Sequence, residues 1–552
     1  MEEVNQLSLR EKIGQTVVML SNPAAELERC GSLDRFLATY PVGGMFVGAE
    51  IIAEVMSGST KEQVREVTAA YAAHTRLPLL FASDMENGCG SMVKGMTKLP
   101  HLMALGAGGD RELAYRFGRA TALEARSLGV NWSFSPVVDL NQNRWNPITN
   151  IRSVSDDPRL AIPLLKGVVQ GMQEQGLGAT AKHFPGDGND WRDQHLVTTH
   201  NPLSMSEWTA NHGAVFQSLI DAGVYAIMTG HITLPAYQQA RLKGQYPPAT
   251  LSEELTTGLL KREMGFQGVV VSDALIMGGF IKWYGRGQAD IECFKAGTDM
   301  LLWPDLSYFE RMEQAIVSGE VPMERLDDAV SRILSMKRKL GLLDGIVGLE
   351  LHRPLTEPEV LEVRDTACKI AESSVTLLRD RSGLLPLNPA AVRKILIVGI
   401  SPNDEDISEL QGLTETFGKY DIQADFKRNL WYEELEQIEV HYDLIVYALH
   451  LRPHRPIGPL QAAGAEASAI WSALSSGASK SVVISFGSPY MLIDYFELAD
   501  IYINVYSHVP ASLQAVVDAL FGIIPFAGVS PVKLETPEYV SIISSAQGVN
   551  NE

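Results

Sequence analysis

From residue 14 to about 305, short apolar runs that end on polar or charged residues alternate with amphipathic stretches. Such alternation is the pattern of repeated strand–helix units. Eight runs stand out: Gln15–Leu20, Gly43–Val47, Leu77–Asp84, Asn131–Asp139, Ala179–His183, Tyr225–His231, Gly268–Asp273 and Thr298–Trp303. Between the fourth and fifth, Asp157 supplies an N-cap and Pro158 a first-turn proline. Leu165, Val168, Val169 and Met172 then recur at helical spacing up to Gly176. A last amphipathic helix aligns Leu326, Val330, Ile333, Met336 or Lys337, and Leu340 before Gly341. Proline and glycine punctuate the segment that follows, which predicts a linker over 346–370.

Eight units within residues 1–345 predict an N-terminal (β/α)8 TIM-type barrel, with a doubly wound sheet as the rival topology. Polar positions favour the barrel. Asp84, Asp139, Lys182 with His183, His231 and Asp273 all stand at or just past the end of a run, where a barrel gathers them around one mouth. Beyond the linker, Lys394–Gly399, Asp443–Leu449, Ser481–Phe486 and Asp500–Val505 predict a smaller open α/β sandwich domain over 371–552. No GxGxxG or GxxxxGK[ST] follows any of these strands, so this domain is expected to be a structural companion without a nucleotide cofactor.

Composition narrows the chemistry. The 552 residues include 46 Lys and Arg against 66 Asp and Glu, a formal charge of −20, which disfavours a phosphate-tracking surface. Nucleic-acid partners are not expected; small neutral substrates are. Cys30, Cys89, Cys293 and Cys368 are scattered without CxxC spacing, so neither a disulfide framework nor a cysteine metal site is indicated. The start, MEEVNQLSLREKIGQ, lacks the basic and apolar regions of a signal peptide, and no apolar run reaches ~18 residues. The expectation is a cytoplasmic protein with no membrane partner.

Two segments carry candidate chemistry. Lys182 through His195 leaves a strand and enters a loop in which Gly186 and Gly188 free the backbone, so the loop is expected to act as a mobile lid. Asp193 and His195, two apart, project to the same side of an extended segment, and a carboxylate beside imidazole raises its pKa, as suits a general acid. A solvated polar loop is the plainer reading. Gly265–Met277 is a glycine turn, a β-branched strand and then Asp273 at the strand end. That carboxylate is either a helix cap or, in a partly dry pocket, a covalent nucleophile.

These segments resemble glycoside hydrolase family 3, and within it the bacterial β-N-acetylglucosaminidase branch. Phe81–Glu86, Phe134–Asn141 with Asn146-Pro147 and Arg152-Ser153, Lys182–His195, Met228–His231 and Gly265–Met277 resemble the family's motifs in order. Ala371–Leu378 and Leu384–Leu387 resemble the opening of its C-terminal sandwich. The resemblance implies a retaining exo-glycosidase that needs no cofactor or metal. Asp273 would be nucleophile, Asp193 and His195 an acid/base dyad, and Asp84, Arg152, Lys182, His183 and His231 sugar-binding residues. A terminal N-acetyl-β-glucosaminide, as in peptidoglycan recycling, is the implied substrate; phosphorolysis by the same dyad and β-glucosidase activity are the alternatives. Asp187 stands where the family loop has histidine and Gln194 where it has serine, and Asn87–Met92 lacks the branch's usual arginines. A metal hydrolase built on His183, His195, His200, His231 and Asp273 lacks an HxH or HExxH signature. A non-catalytic sugar-binding barrel is the remaining reading.

Overall fold

In the computed structural model, which describes residues 2–52, 55–285, 287–343, 351–453, 460, 462–476 and 480–534, each of the eight apolar runs contains a strand. These are β1 (Val17–Leu20), β2 (Gly44–Phe46), β3 (Leu80–Ser83), β4 (Trp132–Ser133), β5 (Thr180–Phe184), β6 (Ala226–Thr229), β7 (Val269–Ser272) and β8 (Leu301–Leu302). The strands pair in parallel as β8-β1-β2-β3-β4 and as β5-β6-β7. Parallel bridges Trp132–Gly178 and Val137–Lys182 join β4 to β5, and Val271–Met300 joins β7 to β8. Neighbours in space are thus neighbours in sequence and the ring has no free edge, as a barrel requires and a doubly wound sheet does not.

Side chains fill the ring. Phe46, Leu80, Trp132, Phe134, Met228 and Val271 belong to one buried cluster. Phe134 stacks on Phe46 and meets Trp132 edge-on, with centroids 5.9 and 4.8 Å apart. The Trp132 indole N–H donates to Thr180 Oγ1 at 2.8 Å, so burial leaves its polar atom satisfied. Removing such a fully buried ring costs roughly 3–5 kcal/mol.

The helix expected before β5 is α1 (Pro158–Glu174), capped by Asp157, whose carboxylate accepts from the Arg159 N–H at 2.8 Å. The last barrel helix, α2 (Met323–Lys339), buries Leu326, Val330, Ile333, Met336 and Lys337. Lys337 Nζ donates to Gln15 Oε1 at 2.6 Å, and burial pulls its pKa down to about 7.

Of the stretch 346–370 expected to be a linker, 346–350 lies outside the described residues and 357–370 lies in α3 (Glu357–Ser374). Chain contacts separate two units within that helix, between Ala367 and Cys368. Glu357 and Glu359 in its first turn complement the helix dipole, and Pro358 at the second helical position is tolerated there.

The second unit is an open sheet of six strands: β9 (Thr376–Asp380), β10 (Lys394–Ile400), β11 (Gln423–Arg428), β12 (Leu444–Leu449), β13 (Lys480–Ser485) and β14 (Ile501–Asn504). Their order is β9-β14-β13-β12-β10-β11, parallel except for β9, which runs antiparallel to β14. All four expected strands are present. The other two, β9 and β11, are the half-exposed edge strands, which carry no long continuous apolar run. Among the described residues no helix is long and apolar enough to cross a membrane.

Candidate active site

Asp273 ends β7. Its backbone N–H donates to Thr229 O on β6 at 2.9 Å, which fixes the strand end, and its Oδ1 accepts from the Ala274 N–H at 2.8 Å. Burial works to raise the carboxyl pKa, but the neighbouring imidazoles, His183 first, with the Ala274 N–H, outweigh it and hold the group below its ordinary value. Asp273 is therefore an ionised carboxylate in a mostly dry pocket, the state a covalent nucleophile needs.

His183 faces it. The pairing of β5 with β6 slips here: Lys182 aligns with Met228 and Phe184 with Thr229, leaving His183 as the extra residue. Such a bulge re-aims a side chain, so consecutive residues serve one mouth. His183 Nε2 lies 3.8 Å from Asp273 Oδ2. Its Nδ1 donates to Asp139 Oδ2 at 2.7 Å, and its backbone N–H donates to Asp139 Oδ1 at 3.0 Å. Asp139 is fully enclosed, yet these contacts keep its pKa low against burial.

Lys182 is paired twice, with Asp84 Oδ1 and Glu86 Oε1, each at 2.7 Å. Glu86 also takes a bidentate grip from Arg152, with Nε and Nη2 both at 2.7 Å. Burial would lower the pKa of Lys182 and of Arg152; the adjoining carboxylates reverse this, and both are raised. The result is a fixed web of two cations and two anions at the ends of β3 and β5, with Asp84 its more accessible member, 33% exposed. Each cation keeps N–H donors beyond these contacts.

His195 Nδ1 donates to Asp193 Oδ1 at 2.6 Å, and the same oxygen accepts the His195 backbone N–H at 2.8 Å. The carboxylate is enclosed while the imidazole is 28% exposed, so Nε2 is presented outward in a set orientation. The Gly278 N–H donates to His195 O at 2.7 Å, tying the dyad's segment to the turn that follows Asp273.

The loop between β5 and His195 departs from a freely hinged lid. Asn146 Nδ2 donates to Asp187 Oδ1 and to Asp190 O, each at 2.7 Å, and Asp190 holds Arg192 and the His200 N–H. Gly186 and Gly188 have φ of +119° and +104°; a Cβ on Gly188 would lie 1.9 Å from Leu140 O and one on Gly186 2.4 Å from His212 Nδ1. These glycines serve close approach as well as turning. Trp191 is 60% exposed, so it does not pack into the fold and its ring is open to a ligand.

His231 also departs from expectation. It is fully buried; Nε2 donates to Ala274 O at 3.1 Å and Nδ1 accepts from Thr250 Oγ1 at 3.0 Å. Burial lowers its pKa, in keeping with a neutral ring. With both nitrogens engaged by protein, His231 supports the turn after Asp273 instead of offering a donor to sugar.

Three acidic residues of the site carry no assigned role in the sequence reading. Glu86 was detectable as the i+2 partner of Asp84. Asp139 ends the fourth run but carries no mark of what it will touch. Asp187 donates its backbone N–H to Asp139 Oδ1 at 2.7 Å, and burial together with Asp139 pushes its carboxyl up to about 7.

An enclosed carboxylate at a barrel strand end, an Asp–His pair beside it and a web of charged donors around it define an enzyme of the barrel glycosidase class. The model of the glycosyl hydrolase family 3 N-terminal domain matches residues 8–336. The chain belongs to this family. It is 33% identical over 549 residues, 95% of this chain and 93% of the other, to a beta-N-acetylglucosaminidase/beta-glucosidase of Cellulomonas fimi. A solved beta-glucoside phosphorylase bound to 2FGlc superposes with a TM-score of 0.83 at 28% identity, covering 97% of this chain and 95% of that one. A family 3 beta-N-acetylglucosaminidase from Paenibacillus sp. str. FPU-7 gives 0.81 at 26% identity, covering 96% and 99%.

Proposed function

We propose that the protein is a retaining exo-glycosidase that removes terminal N-acetyl-β-glucosamine or a related β-hexosaminide, with peptidoglycan recycling as its setting. The observation that carries this reading is the 2.6 Å contact of Asp193 with His195 beside an ionised, enclosed Asp273. In the first step Asp273 Oδ2 attacks the anomeric carbon while His195 Nε2–H protonates the leaving oxygen, giving a glycosyl-aspartate. His195, now neutral, then removes a proton from water, which displaces the carboxylate and restores both groups. Asp193 holds the imidazole in the tautomer that keeps its reacting nitrogen outward. Asp84, Lys182 and Arg152 bind the sugar hydroxyls, His183 orients Asp273, and Trp191 offers a stacking face.

Phosphorolysis is the second reading. It is favoured by the likeness to a phosphorylase and by an acid/base that is neutral or cationic, since such a group does not repel phosphate as a carboxylate does. An aryl β-glycoside panel comparing N-acetylglucosaminide with glucoside, run with and without phosphate, tests both readings. Faster N-acetylglucosaminide turnover to the free sugar supports the first; a sugar 1-phosphate product or preferred glucoside turnover rejects it.

A further inference from the structure

The open sheet of the second unit changes direction at β10: the chain moves out to β11 and returns to β12 on the other flank. In open parallel sheets the crevice beyond the strand ends at such a switch point is where ligands bind. Three side chains from distant parts of the sequence meet there. Asp406 lies on α4 (Asp404–Leu410), which follows β10; His450 follows β12 directly; His508 lies four residues past β14.

His450 Nδ1 is 2.7 Å from Asp406 Oδ2, and His508 Nε2 is 3.4 Å from Asp406 Oδ1 and 2.9 Å from Glu409 Oε2. The donor atoms of Asp406, His450 and His508 lie within 4.8 Å of one another. His450 is fully buried, its Nε2 has no hydrogen-bond partner, and its Nδ1 approaches Asp406 without hydrogen-bond alignment. The two imidazole rings are 3.8 Å apart, and each uncharged imidazole keeps a lone pair on one nitrogen to offer a cation.

We propose that Asp406, His450 and His508 bind one divalent cation of the zinc class, with Glu409 beside His508. Two imidazoles with carboxylates are a borderline-soft donor set; calcium and magnesium call for oxygen ligands. Two carboxylates balance the ion's charge inside a buried pocket, and direct ligation must hold it against the Arg452 guanidinium. The ion would tie α4 to the ends of β12 and β14, a structural role separate from the barrel's chemistry.

The test is titration of chelator-treated full-length protein with zinc chloride, followed by calorimetry, metal content after desalting, and thermal melting. Cobalt(II) absorption on the unaltered protein reports imidazole ligation without any variant. The expected result is one tightly held equivalent that raises the melting temperature, a cobalt ligand-field band, and at least ~10²-fold weaker zinc binding in His450→Ala and His508→Gln. Aryl-glycoside turnover of these variants should match the unaltered protein. No stoichiometric zinc and no ligand-field band, or zinc lost on changing His183 or His195 instead, overturns the proposal and leaves the cluster an ion-pair network.

Discussion

His183 Nε2 stands 3.8 Å from Asp273 Oδ2, while the opposite nitrogen of the same ring is anchored 2.7 Å from Asp139. The imidazole thus connects an enclosed carboxylate to the proposed nucleophile. Removing it withdraws a group that favours the ionised form of Asp273. In His183→Ala the acidic limb of kcat/KM should therefore move to higher pH, because the Asp273 pKa rises toward what burial alone dictates. An unmoved limb would show that His183 does not set this ionisation.

Asp273→Ala should lower turnover by ~10⁴-fold or more with little change in melting temperature, since the backbone bond of Asp273 to Thr229 persists. A 2-fluoro glycoside should label Asp273 in the unaltered enzyme. Mass spectrometry of the labelled peptide checks this, and label on another carboxylate would reassign the nucleophile.

His195→Ala should slow poor leaving groups by ~10²–10⁴-fold and activated aryl leaving groups less, because only the former need a proton in the transition state. Asp193→Ala should follow the same trend more weakly. Equal losses across a leaving-group series would reduce the pair to a loop contact.

Gly188→Ala places a Cβ 1.9 Å from Leu140 O at a φ of +104°. The loop must shift, costing about 2 kcal/mol or more in stability and carrying the Asp193–His195 pair out of place. Gly265→Ala, also at positive φ but with nothing near its Cβ, should cost less and leave kcat unchanged. Paired melting curves and rates distinguish the two.

Lys337, with its pKa pulled down to about 7, makes stability depend on pH. Between about pH 7 and 10.4 the unfolded chain binds the proton that the buried amine has lost, so stability rises with pH across this window. The lysine's contribution to that rise is on the order of 4 kcal/mol. Lys337→Met removes it, so the variant's advantage at pH 7 should shrink toward pH 10, as urea unfolding at the two pH values would reveal.

The eight barrel strands were legible in the chain, with two of the barrel helices, because a parallel strand buried on both faces leaves an unbroken apolar run, and such a run needs no partner to be recognised. Strand-end polar residues were legible for the same reason: Asp84, Lys182, His183 and Asp273 mark where a run stops. The roles of Asp273, Asp193 and His195 were indicated by family resemblance; periodicity alone left each an ordinary cap or loop residue. What only the tertiary structure decided is which charges meet. Glu86 bridges Lys182 to Arg152 across segments 30 and more residues apart, and neither partner is visible in the local sequence around it. His231, at a strand end like the others, turned out to have both ring nitrogens occupied, because Thr250 and the Ala274 carbonyl reach it from elsewhere. The glycines of the loop signalled freedom, whereas packing against Leu140 and His212 made them points of close approach. Hydrophobic burial is read from one chain segment at a time; hydrogen bonds and ion pairs depend on distances of a few ångströms between segments, and those distances exist only once the barrel has closed.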